Sequence, residues 1–178
     1  IITCFSKHIE AKDFPLNMNP NYFMVSCGTS QEDLQRLHSI MERIPVKFIC
    51  IDVANGYLKK VQEVTQKLAA LHPNCILVVG NVCTQDGVKA LMDAGADIIK
   101  CGIGSGSCCT TRIKTGVGVP QLTCVRFCAT TNLNNCTIIS DGGVKSSGDV
   151  VKAFASGAKF VMLGGLLSGH EECLGNLI

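Results

Sequence analysis

The chain has 178 residues, 47% of them hydrophobic and 17% charged, with a net charge of +2, which suits one globular domain with a sizeable core rather than a disordered or fibrous segment. Lys and Arg are scattered singly, so the sequence carries no electrostatic footprint for nucleic acid or for an anionic membrane surface. The longest apolar stretches, around Cys75–Val79 and Phe160–Leu163, fall far short of the roughly 18 residues that cross a bilayer, and a soluble protein is expected.

The chain opens on Ile1-Ile2-Thr3-Cys4-Phe5, without an initiating Met or the basic start of a secretory signal, so a fragment or a processed chain is expected. Short runs rich in Val, Ile and Cys then alternate with longer amphipathic runs, the pattern of parallel strands joined by helices. The predicted strands are Ile2–Ser6, Phe23–Cys27, Phe48–Val53, Ile76–Val79, Ile98–Cys101, Thr137–Ser140 and Phe160–Leu163. The predicted helices are Gln31–Glu42, Leu58–Leu71, Gln85–Asp93, Gln121–Thr130 and Ser147–Ser156, with Ser30, Thr84 and Ser146 as caps and Gly95 and Gly157 at helix ends. The 12 cysteines would suggest disulfides in a small secreted protein, but Cys27, Cys50 and Cys101 sit inside apolar strand-like runs and read as reduced core residues. Neither a CxxC pair nor a His pair at zinc spacing occurs, so metal ligation by cysteine is set aside.

An alternating parallel pattern fits both a doubly wound sheet and a closed (β/α)8 barrel, and periodicity cannot choose between them. The strand ends can. Polar or Gly-rich residues follow nearly every strand, at Lys7-His8, Gly28-Thr29, Asp52–Asn55, Gly80-Asn81, Gly102–Gly106, Asp141–Gly143 and Gly164-Gly165. Function at the C-terminal ends of many strands is the barrel habit, whereas an open sheet concentrates it at one switch point. A whole barrel takes about 250 residues and eight strands, so the expected fold is an α/β, (β/α)8 TIM barrel lacking one strand, with residues 1–178 as a single partial catalytic domain.

The longest interval between strands, from Gly102 to Thr137, holds a Gly-rich loop, two adjacent cysteines and then Lys114-Thr115-Gly116-Val117-Gly118. Gly102, Gly104 and Gly106 allow positive φ and expose carbonyls and N–H groups to a small ion or a ligand, though a tight turn alone would also explain them. A cysteine beside Thr110, Thr111 and Arg112 shifts the balance, because a nearby cation and exposed N–H groups stabilise a thiolate. Cys109 is the candidate nucleophile. The histidines His8, His38, His72 and His170 stand in no recognisable pairing with an acid or with the cysteine, and surface or core roles are expected for them.

The run Gly104-Ser105-Gly106-Ser107-Cys108-Cys109-Thr110-Thr111-Arg112, with Cys50-Ile51-Asp52-Val53-Ala54-Asn55-Gly56-Tyr57, Pro120-Gln121-Leu122 and Leu163-Gly164-Gly165, closely resembles the IMP dehydrogenase and GMP reductase family, and its reductase branch more than the other. The resemblance implies a cytoplasmic purine-interconverting oxidoreductase in which the cysteine attacks C2 of GMP, ammonia departs, and NADPH delivers hydride to the covalent thioimidate to give IMP. It assigns the nucleophile to Cys109 and proton handling to Thr111, whose family partner is a glutamate on a mobile flap expected beyond this chain's end. Asp141, Gly142, Gly143, Gly164 and Gly165 match nucleotide positions, the carboxylate suited to ribose hydroxyls and the glycines to close approach of a phosphate; an ordinary pair of turns is the competing reading. Lys7, Asp52, Val53, Ala54, Ile103 and Gly104 match positions that touch NADPH, of which Lys7 is the weakest transfer because a lysine at a strand end is often plain solvated surface. Gly104, Gly106, Cys109 and Arg112 match the carbonyls that hold a potassium ion, and family members form homotetramers in which a neighbour completes the cofactor site.

Ser105 stands where the reductase loop has proline, Cys108 where it has valine and Val119 where it has tyrosine. Ser105 should loosen the loop, and Cys108 adds a second thiol beside the nucleophile. Two other readings stay open: an IMP dehydrogenase, against which the Thr110-Thr111-Arg112 run counts, and a truncated non-catalytic relative that keeps nucleotide contacts or subunit interfaces.

Overall fold

In a computed structural model, which describes residues 1–130 and 137–171, seven parallel strands form one sheet in the order of the chain. They are β1 (Thr3–Phe5), β2 (Phe23–Cys27), β3 (Phe48–Asp52), β4 (Ile76–Val82), β5 (Ile98–Cys101), β6 (Thr137–Asp141) and β7 (Phe160–Met162). The helices are α1 (Gln31–Met41), α2 (Lys59–Leu71), α3 (Gln85–Asp93), α4 (Thr111–Thr115), α5 (Gln121–Ala129) and α6 (Ser147–Ala155).

The order decides between the two architectures. A doubly wound sheet reverses its strand order and carries helices on both faces, whereas here each strand pairs with the next and the helices pack on one side. Alternate strand residues Val25, Ile49, Ile51, Leu77, Val79 and Ile99 bury outward against Leu37, Ile40, Val61, Leu68, Val88 and Leu91 of the helices. The intervening residues Met24, Cys50, Val78 and Ile139 make a second cluster on the opposite face, from strand residues alone. That is the inner face of a (β/α)8 barrel with seven strands present. Among the described residues β1 and β7 each pair on one side only, so the barrel is open.

The predicted strands all form, and their boundaries carry information. β4 runs on through Gly80 and Asn81 to Val82, past the expected end at Val79, because a register shift between Gly80 and Val82 lets pairing with β5 continue through residues that read as a turn. Ser30 makes a full capping box with Asp33, and the Thr84 side chain accepts from the Gly87 amide. Ser146 occupies the cap position of α6 but its side chain caps nothing; its hydroxyl donates to Asp149 instead, whose carboxylate accepts from the Lys145 amide. α4 had no sequence signal, since five residues cannot show a helical period.

None of the ten cysteines among the described residues is in a disulfide; Cys27, Cys50, Cys83, Cys101, Cys124 and Cys128 are buried and Cys108 and Cys109 exposed. His38 lies 3.2 Å from Glu42 one turn on, an acid partner that the sequence reading missed, although both side chains face solvent. No helix among the described residues is long and apolar enough to cross a membrane.

Candidate active site

The C-terminal ends of the strands bring most of the singled-out residues to one rim, and the loop after β5 lies across it. Gly102 turns this loop at φ +146°, where a Cβ would stand 2.1 Å from the Asp141 carbonyl oxygen, so only glycine lets β5 leave the sheet against β6. Ser105 donates its hydroxyl to that same carbonyl at 3.0 Å, a tie that proline could not make, so the substitution expected to loosen the loop also anchors it. The loop tip then rests on both paired-glycine turns. A Cβ at Gly142 would lie 2.7 Å from Ser105 Oγ and 2.9 Å from the Gly106 amide nitrogen, and one at Gly165 would lie 2.5 Å from Ser107 Oγ.

Cys109 follows on this tip, its thiol exposed and its amide bonded to the Gly106 carbonyl at 3.1 Å. Its Sγ stands 3.3 Å from Thr111 Oγ1, the first residue of α4. The Thr111 side chain is the main influence on the thiol; with the Thr111 and Gly104 amides and the Arg112 charge it holds Cys109 below the ordinary cysteine range, against a small opposing effect of burial. Arg112 does not extend freely. Its stem lies between Gly104 and Gly118, where a Cβ on either would come 2.6 Å from Arg112 side-chain atoms. Glycine at both positions therefore seats the guanidinium stem beside the thiol.

The carbonyls matched to a monovalent ion belong to this same loop. Gly106 accepts one backbone bond from Cys109 and Arg112 one from Gly116, which leaves each carbonyl oxygen a second lone pair. Oxygen donors of this kind suit a weakly hydrated hard cation, and the donor set fits potassium.

On the inner face, Asp52 ends β3 and Asp141 ends β6. Between them stands Lys100 of β5, which the sequence reading passed over. Its Nζ donates to Asp141 Oδ2 at 2.5 Å and to Asp52 Oδ1 at 2.7 Å. Asn81 donates to Asp141 Oδ2 at 2.9 Å and to the Gly102 carbonyl at 2.7 Å, and Gln121 donates to the Cys101 carbonyl at 2.9 Å. Burial alone would pull the Lys100 ammonium down, but the charges of Asp141 and Asp52 outweigh it and hold it above the usual lysine range. A signal for Lys100 existed in the run Ile98-Ile99-Lys100-Cys101, since a lysine inside an apolar strand is tolerated only when paired.

The residues matched to the cofactor fall less evenly. Lys7, after β1, reaches the Asp52 carbonyl at 3.4 Å, which joins two of them. Val53 exchanges backbone bonds with Gly80 and Asn81, and Ala54 is exposed at the rim. Ile103 is buried in the core, so it would meet a ligand through its backbone rather than its side chain.

Residues 18–178 match the model of the IMP dehydrogenase / GMP reductase domain. The chain is 47% identical to GMP reductase 1 of Homo sapiens, with 99% of this chain aligned to 53% of that protein. It is 51% identical to the GMP reductase of Vibrio cholerae serotype O1, with 100% of this chain aligned to 54%. It thus spans about half the length of the curated relatives it matches. Among solved structures, a GMP reductase from Trypanosoma brucei in complex with guanosine 5'-monophosphate superposes with a TM-score of 0.83 at 32% identity, over 88% of this chain and 33% of that one. The inosine 5'-monophosphate dehydrogenase of Legionella pneumophila superposes with a TM-score of 0.81 at 39% identity, over 93% of this chain and 51% of the other. With its sequence matched over most of its length and its barrel superposing on both branches, the chain belongs to the IMP dehydrogenase / GMP reductase family.

Proposed function

We propose that this chain carries the nucleotide-reacting half of a GMP reductase, a nicotinamide-dependent oxidoreductase that converts GMP to IMP and ammonia. The observation that carries the reading is the acidified, exposed Cys109 on a loop seated against both paired-glycine turns. The curated relatives at about half identity, which are reductases, support the same branch.

In this reading the Cys109 thiolate forms a bond to C2 of the purine, and the exocyclic amine leaves as ammonia once it is protonated. Such a leaving group needs a donor, because an amide ion is far too basic to depart alone. Thr111 Oγ1, 3.3 Å from the sulfur, is the hydroxyl through which a proton reaches the site. NADPH, when bound, would supply the hydride that takes the amine's place at C2, and release of the Cys109 sulfur from C2 then restores the thiolate. Asp141 accepts the ribose hydroxyls; both bonds it receives from Lys100 and Asn81 fall on Oδ2, which leaves Oδ1 for the ligand. Gly142, Gly143, Gly164 and Gly165 admit the phosphate to the backbone. Lys7, Asp52, Val53, Ala54, Ile103 and Gly104 would line the cofactor side, and the carbonyls of Gly104, Gly106, Cys109 and Arg112 would hold a potassium ion whose charge would order the loop.

The test is to follow nicotinamide absorbance with NADPH and GMP, and separately with NAD and IMP, alongside calorimetric titration with GMP. Oxidation of NADPH by GMP is expected. Reduction of NAD by IMP would move the chain to the dehydrogenase branch. GMP binding without turnover in either assay would make it a nucleotide-binding relative, and no binding at all would overturn the reading.

A further inference from the structure

Lys100 is an unusual residue for its place. It is 2% exposed on the inner face of β5, beside an inner cluster of Met24, Cys50, Val78 and Ile139 that is apolar. Its side chain crosses a neighbouring strand to reach one of its two carboxylates. Asp52, Gly80 and Lys100 are in register on β3, β4 and β5, and the missing side chain at Gly80 leaves the ammonium its path: a Cβ there would lie 2.7 Å from Lys100 Cβ. On the other side Asp141 closes β6 and takes a further bond from Asn81 on the oxygen that Lys100 holds.

A role in stability alone does not account for this trio. Buried ion pairs add little stability compared with apolar residues of the same size, because desolvation offsets the attraction. Both carboxylates also stand at the open rim rather than in the core, Asp52 at 45% and Asp141 at 23% side-chain exposure. Each gives one oxygen to Lys100, and no hydrogen bond among the described residues reaches the other.

We propose that Lys100 is a positioning residue whose single ammonium sets the spacing of Asp52 and Asp141, so that the cofactor and nucleotide halves of the site are fixed by one charge. This rests on the functional reading above, which gives Asp52 to the cofactor and Asp141 to the nucleotide. The two halves then communicate through Lys100. Loss of the Asp52 charge draws the ammonium wholly onto Asp141 and weakens that carboxylate as an acceptor for the ribose, so a change at Asp52 is felt by GMP in the absence of any cofactor.

Calorimetric titration of the 178-residue chain with GMP alone reads this directly, comparing the unaltered protein with Lys100→Met, Lys100→Arg and Asp52→Asn, with urea unfolding of each to establish that it is folded. Lys100→Met and Asp52→Asn should each weaken GMP binding by about tenfold, the worth of a charge-assisted hydrogen bond. Lys100→Arg keeps a cation with forked donors and should recover part of the loss. Folded Lys100→Met and Asp52→Asn proteins that bind GMP within about twofold of the unaltered chain overturn the positioning role while the functional reading stands. An unaltered chain that does not bind GMP overturns the functional reading, and the positioning role with it. Should Lys100→Met not fold, Asp52→Asn, which keeps the lysine, decides alone.

Discussion

Replacing Gly80 with alanine perturbs the inner face where β4 and β5 approach closely. The added Cβ would lie 2.4 Å from the Lys100 carbonyl oxygen and 2.7 Å from Lys100 Cβ. Carbon–oxygen contacts between strands normally sit at about 3.3 Å or beyond, so β5 must retreat from β4 by roughly 0.9 Å. Neither obstructing atom can swing aside, since one is backbone and the other is the root of a side chain pinned at its far end by two carboxylates. A ladder hydrogen bond lengthened by that much is largely lost, at about 1 kcal/mol, and overpacking adds about 1–3 kcal/mol. The sum is about 3 kcal/mol, and for a domain of this size each kcal/mol lowers Tm by about 2–4 °C. Gly80→Ala should therefore melt about 6–12 °C below the unaltered chain when followed by far-ultraviolet circular dichroism. Gly148→Ala in α6 is the control: the nearest atom to its added Cβ is Ser146 Oγ at 3.7 Å. Alanine in a helix is favoured over glycine by about 0.5–1 kcal/mol, so that variant should melt slightly higher. A Gly80→Ala protein melting within about 2 °C of the unaltered chain would refute the close β4–β5 approach and the path it leaves for Lys100.

Alkylation with iodoacetamide, read by mass spectrometry, should modify Cys109 at pH values where an ordinary thiol is inert, because its ionisation is shifted down. Thr111→Val should move the midpoint of that pH profile upward, since the Thr111 hydroxyl is the main cause of the shift. An unchanged profile would remove Thr111 from the thiol's environment. Ser30→Ala deletes the half of the α1 capping box in which the Ser30 hydroxyl accepts from the Asp33 amide, while the backbone N–H at position 30 still donates to Asp33, and should lower unfolding free energy by about 1 kcal/mol in urea. Cys27 is fully buried, and burial pushes its thiol up from the ordinary 9.0 to about 12. The folded chain thus keeps this proton while the unfolded chain releases it. Its contribution to stability is whole below pH 9.0 and lost as pH rises toward about 12, so the urea midpoint should fall over that window in the native protein and less in Cys27→Ala. A midpoint flat through the alkaline range would count against the buried thiol.

Sequence alone established the order of the strands and of every helix but α4, because short apolar runs and amphipathic runs between Gly and polar turns are local signals, and it singled out the Gly104–Arg112 run, whose adjacent residues are joined by the chain itself. Ser30 and Thr84 could be read as caps for the same reason: a cap acts three residues away. What the sequence could not decide was anything carried by distant residues. Lys100, Asp52 and Asp141 lie 48 and 41 residues apart and meet only because parallel pairing puts β3, β5 and β6 around one lumen. Gly80 reads locally as a turn residue, and its work as the gap through which the Lys100 side chain crosses β4 exists only once the strands are in register. Strand content followed from which residues are apolar and at what spacing; the charged bridge on the inner face followed from pairing across the sheet, an arrangement that no local period records.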